Sequence, residues 1–335
     1  MDTTPAQFAV AAAVHAPSVH NTQPWRFGHG ERHIDIYADA SRRLRAADPD
    51  GREMMISCGA AAFTLRVALR QLGWLPRAQL FPDRSRPALV ARVSWDENRI
   101  TPDSGEREMF AAVTARHTHR AGFGPGPLPA GTLPALREEA AREGAMLRLI
   151  AGDDQRAALA AVVQAGEHAL RLDGKRAAEQ ADWVVSPGSA RRDGIPPAAY
   201  PAEPAHTEPD FPGRDFAPGQ GWGLAAPPVA DERFPGVVCL LATAANEPVD
   251  WVTAGQALQR VLLRATACGV TAALHSQPLE LPQLRDFIRL QLAARAHPQM
   301  IIRLGITSQA STGSIRRPVG DVLLPSVATG RCDGG

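Results

Sequence analysis

The sequence predicts an α+β fold made of two tandem, related halves, and three features point there. Helix-period and strand-period segments alternate along 335 residues, enough for one large domain or two medium ones. No Gly-x-Gly-x-x-Gly turn follows a strand, which disfavours a nicotinamide bound in a dinucleotide-type parallel sheet. Finally, one helical segment echoes another. "GAAAFTLRVALRQLG" is bounded by Gly59 and Gly73, "GQALQRVLLRATACG" by Gly255 and Gly269, and Ala61 matches Ala257. Downstream of each stands a Pro-led strand opening, "PALVARV" and "PQMIIRL".

Residues 5–16 read as a helix that Pro17 terminates. "QPWRF" and "RHIDIYAD" read as two strands around a Gly-His-Gly turn. A long helix covers about Arg52 to Leu72, with small residues on one face and Gly73 as its stop. Strands follow near "AQLFP" and "ALVARVSW". From about Ser104 a second series begins: a helix, the loop "RHTHRAGF", a helix over 130–143, the strand "AMLRLIA", and helices from Asp153 to about Trp183. The stretch 186–228 differs, with ten of the 29 prolines, six glycines and almost no periodicity. Such a segment reads as a lid, a wrapping arm or disorder. A strand ("GVVCLLAT"), a helix (Trp251 to Cys268), a strand ("TAALHSQ"), a helix ("LPQLRDFIRLQLAARA") and a last strand ("QMIIRLGIT") complete the series. The halves are placed at 1–103 and 104–330, with 186–228 inserted in the second.

Composition removes several function classes. With 36 basic and 35 acidic residues the formal charge is +1, which argues against nucleic-acid or membrane-surface binding by bulk electrostatics. Lys175 is the single lysine, so nearly all positive charge is arginine and one arginine alone says little. Cys58, Cys239, Cys268 and Cys332 lack metal-ligand or Cys-x-x-Cys spacing and are expected as free thiols in a reducing compartment. The first residues lack a signal-peptide pattern, and the longest apolar stretch, Val237 to Ala245, is half a bilayer span. A soluble, cytoplasmic protein is expected. His117-x-His119 with His275 or His297 has no acidic or thiolate partner at ligand spacing, so no metal is expected. Neither Gly-x-Ser-x-Gly nor a Ser/His/Asp set is present.

Four short motifs remain. "APSVHNTQPWRF" (16–27) resembles the Pro-Ser-x-x-Asn-x-Gln-Pro-Trp loop of FMN-dependent nitroreductases. "RHTHRAGF" (116–123) resembles the basic flavin-gripping loop of that family, "HSQPLE" (275–280) its flavin-edge segment, and "SIRRP" (314–318) its terminal basic pair. Ordinary members place the basic loop before the Pro-Ser-x-x-Asn loop in one short subunit that pairs as a homodimer. Here the first half carries only the second of these motifs, and the second half carries the other three. The resemblance therefore implies a fused pseudo-dimer with a single composite FMN site, a nitroreductase-like fold and a lid, most like the Acg-like branch.

What the resemblance implies for residues follows from that match. Arg116, Thr118, Arg316 and Arg317 would hold the flavin phosphate, for which charge-assisted, bidentate donors are suited. His117 lies in the same loop. Arg120 would face the flavin N1–C2=O edge and favour the reduced form. Pro17, Ser18, Val19 and Asn21 would form the opposite wall, and Gln277, Pro278 and Glu280 the N5 edge. Helix capping by Ser18 or Asn21 is the simpler alternative for that loop, but capping does not explain Gln23-Pro24-Trp25. Trp25 is expected as a core anchor. No protein group is expected to be catalytic, since flavin N5 would carry hydride or electrons from NAD(P)H to a nitroaromatic, quinone or similar acceptor. Two other implied functions stay open: storage of FMN under the lid without turnover, and a specialised dehydrogenase of a biosynthetic pathway. A monomer or weak homodimer is expected.

Overall fold

Thr4 opens the first helix, α1 (Pro5–Ala13), with a capping box: its hydroxyl accepts from Gln7 N at 3.2 Å, and Gln7 Oε1 accepts from Thr4 N at 3.0 Å. The computed structural model describes residues 4–200, 205–216, 223, 232–308 and 313–325. After α1 the hairpin β1 (Trp25–His29) and β2 (His33–Ala38) forms in antiparallel register, Trp25 opposite Ala38. β2 pairs with β4 (Leu89–Ser94), and β4 with β3 (Arg77–Leu80), giving a four-stranded antiparallel sheet in the order β1-β2-β4-β3. Trp25 is fully buried in the core.

Helix α2 (Arg52–Gln71) packs on that sheet. Asp48 closes its N-terminus by accepting from Glu53 N and Met54 N at 3.0 and 2.9 Å. The chain continues through α3 (Ser104–Ala115), the short strand β5 (Thr118–His119), α4 (Thr132–Arg142), β6 (Met146–Leu149), α5 (Asp153–Leu172) and α6 (Gly174–Asp182). β7 (Val237–Thr243), α7 (Pro248–Ala267), β8 (Thr271–His275), α8 (Pro282–Gln291), β9 (His297–Gly305) and the single turn α9 (Val319–Val322) follow. The second sheet runs β5-β8-β9-β7-β6, parallel only between β5 and β8. The α+β class is as the pattern predicts. β5 is the difference: "RHTHR" has no strand pattern, and Thr118 and His119 become a strand only by pairing with Ala272 and Ala273 of β8.

The echoed helices are the centre of the molecule. α2 lies on the first sheet, α7 on the second, and the two pack on each other. Their crossing is reciprocal: a Cβ at Gly59 would lie 2.1 Å from Val252 O, and one at Gly255 would lie 2.0 Å from Ile56 O. Two backbones meet here because both matched positions lack a side chain. α5 and α8 cover the other face of the second sheet, where Leu159, Val163 and Ile288 meet Val238, Leu240 and Ile301. The tail returns to the first half, Leu324 N donating to Phe27 O at 2.7 Å. Of the expected lid, residues 201–204, 217–222 and 224–228 lie outside the described residues, as does Cys332. Among the described residues no helix is long and apolar enough to cross a membrane.

Candidate active site

The loop after α1 turns through left-handed backbone at His20, Asn21 and Gln23, with φ of 45°, 53° and 48°. Non-glycine residues adopt this conformation only when their surroundings hold them there. The sequence supplies the holding groups. Ser18 Oγ accepts from Gln23 N at 3.0 Å. The Asn21 amide donates to Gly194 O (2.9 Å) and Ile315 O (3.0 Å), and its Oδ1 accepts from Arg316 Nη1 at 2.7 Å. Gln23 Nε2 donates to Arg192 O at 2.9 Å, and its Oε1 accepts from Arg317 N at 2.8 Å. Asn21 and Gln23 therefore tie the loop to a strap (183–200 and 205–216) and to the tail.

Pro17 to Asn21 form one wall of a cleft of about 1030 Å³ including its mouth. The first turns of α2, the 116–120 loop, the end of β8, Leu258 of α7, Met300 and Arg303 of β9, the strap and the tail also line it. Arg116, Arg120 and Arg316 converge on it, and no described carboxylate pairs with any of the three. Burial pushes the Arg116 and Arg120 guanidinium groups down to about 10. Arg316, which also feels those two charges, falls to about 9. The acceptors they do find are neutral: His15 O takes Arg116 Nη2 at 3.3 Å and Arg316 Nη2 at 3.2 Å, while Arg120 donates to Thr118 O and Ala199 O. Arg116 Nε and Arg316 Nε are buried without a partner. Buried cations that repel one another and leave donors unused are costly unless an anion completes them.

The strap closes the opposite side. Ile195, Gly213, Arg214 and Phe216 line the cleft, and Phe216 lies edge-on to His20 and under the Arg120 guanidinium, 5.6 Å away. Arg214 is pinned by Glu280, by Ser276 Oγ (3.2 Å) and by Gln180 Oε1 (3.2 Å). Neighbouring carboxylates at Glu280, Glu167 and Glu53 raise its pKa against the effect of burial. His119 Nε2 is bonded to Gly122 O at 2.7 Å and His275 Nε2 accepts from Arg303 Nε at 2.8 Å, so these histidines do not converge as ligands.

Burial, then Arg214 and Arg120, hold His20 well below its usual pKa, so it is neutral in the fold. The unfolded chain binds that proton below about pH 6.5, so the contribution of His20 to stability is present above 6.5 and lost as pH falls. Melting curves of the His20→Asn variant, whose side chain tolerates left-handed backbone, should decline less steeply between pH 6.5 and 5 than wild type. The expected difference is about 1.4 kcal/mol per pH unit, one proton's worth.

No family model matches the sequence. A Mycobacterium tuberculosis H37Rv protein provisionally named an NAD(P)H nitroreductase is 34% identical over 295 residues, 88% of this chain and 82% of the relative. The chain belongs to the nitroreductase family. Within it the chain stands in the Acg-like branch: the M. tuberculosis protein Acg, with the same provisional name, is 29% identical over 318 residues, 94% of each chain. Among solved structures, the FMN-dependent nitroreductase NfnB of Mycobacterium smegmatis in complex with NADPH matches at 16% identity, covering 66% of this chain and 98% of that one, with a TM-score of 0.40.

In this chain, nine of the thirteen residues singled out from sequence line one cleft: Pro17, Ser18, Val19, Asn21, Arg116, Thr118, Arg120, Gln277 and Arg316. The other four sit beside it. His117 is half-buried near the Cβ position of Gly313. Pro278 packs on Gly166 of α5, its nitrogen 2.8 Å from where a Cβ would stand. Glu280 is fully buried and paired with Arg214. Arg317 turns to Gln23 O (3.4 Å) and Asp321 O (2.8 Å). Glu53, Arg214 and Arg303 also line the cleft and carry no sequence signal of their own, while His20 lines it from an unassigned position within the Pro-Ser-x-x-Asn loop. Only the fold brings them together.

Proposed function

We propose that the protein is an FMN-dependent oxidoreductase of nitroreductase type, passing reducing equivalents from NAD(P)H to a nitroaromatic, quinone or similar acceptor. The observation that carries this reading is the cluster of buried Arg116 with half-buried Arg120 and Arg316, paired with no described carboxylate, in a cleft walled by Pro17 to Asn21. The orphaned Nε atoms of Arg116 and Arg316 fit the oxygens of a phosphate monoester dianion. Arg120 would offer a fixed positive charge in the same cleft, which the strap residues Arg214 and Phe216 also line. When bound, the flavin supplies the redox chemistry, accepting two electrons and releasing them to the acceptor. We read the chain as a fused pair of halves with one FMN, because the cleft draws on motifs that each occur once.

The purified protein should be yellow, release one FMN per chain, and bleach with NADH or NADPH before turning over a nitrofuran or quinone. A colourless protein that takes up no FMN would falsify the reading. The second reading, storage of FMN without turnover, is favoured by one observation: the strap lines the same cleft and is latched on by Arg42 to Asp193 and by Asn21 to Gly194. Bleaching by dithionite but by neither nicotinamide would select it.

A further inference from the structure

Among the described residues the cleft is lined by five arginines, three histidines and one carboxylic acid, Glu53, in the first turn of α2. We propose that Glu53 donates the proton that the acceptor takes up as it is reduced, an assignment that rests on the oxidoreductase reading above.

The other lining groups are poor proton donors near neutrality. The arginines hold their protons too tightly. His20 and His275 are held neutral by burial first and by neighbouring arginines second, and the His119 ring is engaged with Gly122 O. The hydroxyls of the serines and Thr118 are far weaker acids. Glu53 is placed differently. Its Oε1 is paired with Arg52, whose Nη1 is fixed in turn by Gln299 O (3.0 Å) and Gln299 Oε1 (3.1 Å). Among the described residues the hydrogen bonds of the side chain end there, and only 4% of it is exposed. The carboxyl is thus held in one orientation at the cleft wall, beside Ile56 and Ser57.

Four charged groups act on it: Arg52 on its own helix, Asp48 from the preceding turn, Glu280 after β8, and Arg214 on the strap. Burial outweighs them, and Glu53 is pushed up to about 7, where near neutrality about half of the acid is protonated and can give its proton up. A quinone needs two electrons and two protons to become a hydroquinone. Two electrons and one proton come from the reduced flavin, itself regenerated by NAD(P)H. The second O–H bond forms at the far carbonyl oxygen as the Glu53 O–H bond breaks, and the carboxylate recovers its proton from water at the mouth.

The test is the FMN-loaded Glu53→Gln variant, an isostere that keeps shape and removes the acid. With a benzoquinone the rate of flavin reoxidation should fall about 10²-fold, the low end for general acids. With ferricyanide, which takes single electrons and no proton, it should stay within about twofold. The wild-type quinone rate should fall above about pH 7, since the donor must be protonated, and the variant profile should be flat there. In the flavin-free protein, ¹³C spectra of labelled glutamate should show one carboxyl titrating near 7 that is missing from the variant. A quinone rate that is unchanged overturns the assignment. So does a parallel loss with quinone and ferricyanide, which would mark Glu53 as structural. A wild-type protein that binds no FMN overturns the oxidoreductase reading instead, and this assignment with it.

Discussion

Replacing Arg116 and Arg316 together with glutamine lowers FMN affinity by about 10²–10⁴-fold while riboflavin affinity changes little. The Arg116 side chain is buried and that of Arg316 half-buried, and each lacks a carboxylate among the described residues and keeps an unused, buried Nε donor. A hydrogen bond to a charged group contributes about 1.5–3 kcal/mol, so two lost contacts to a phosphate amount to about 3–6 kcal/mol. Riboflavin has no phosphate and should be indifferent. Isothermal titration of both flavins checks the contrast. Arg317 is the control next in sequence, since its guanidinium points to Gln23 O and Asp321 O rather than into the cleft. Arg317→Gln should cost FMN affinity less than about threefold, within the modest worth of a partly exposed charge. The double variant without flavin should melt no lower than wild type, because the buried cations repel one another. An equal loss of FMN and riboflavin affinity would mean that the arginines shape the loop rather than hold an anion.

Gly255→Ala lowers the melting temperature by about 5–10 °C, although alanine is the better helix former by up to about 1 kcal/mol. The new Cβ would stand 2.0 Å from Ile56 O and 2.9 Å from Gly59 Cα, and neither backbone can yield unless α2 and α7 separate. Overpacking of this kind costs about 1–3 kcal/mol or more, and contact with backbone places it at the upper end. Gly59→Ala should behave alike, since its Cβ meets Val252 O at 2.1 Å. Gly174→Ala, where nothing lies within 4 Å, should be neutral or stabilising. FMN retention should fall with the first two variants, because Ile56 and Ser57 of α2 also wall the cleft. Calorimetry on the three variants separates a collision from a propensity effect.

The echo between the glycine-bounded helices is local pattern, and local pattern also carries the hairpin, the long strands of the second sheet and the capped helices. Asp103 with Glu106 and Glu247 with Asp250 form capping boxes that mark two helix starts by spacing alone. β5 was not legible, because two residues have no period and their pairing partner lies more than 150 residues away. The roles within the polar loop were also hidden. Asn21 reads as part of a ligand wall, yet its amide bonds to carbonyls of the strap and tail 173 and 294 residues along the chain, and the amide of Gln23, which reads as no site residue, bonds to a strap carbonyl 169 residues away.

The sequence by itself determined the element types, the repeated helix and the four motifs, because periodicity, caps and turn residues act over a few positions. Only the tertiary structure decided which members of those motifs face the same space. It separated Arg316 from its neighbour Arg317, turned Glu280 away to neutralise Arg214, and brought Glu53 into a wall of arginines. The physical reason is that burial and Coulomb interaction depend on distance in space, and these side chains lie up to about 300 residues apart in sequence but within one cleft.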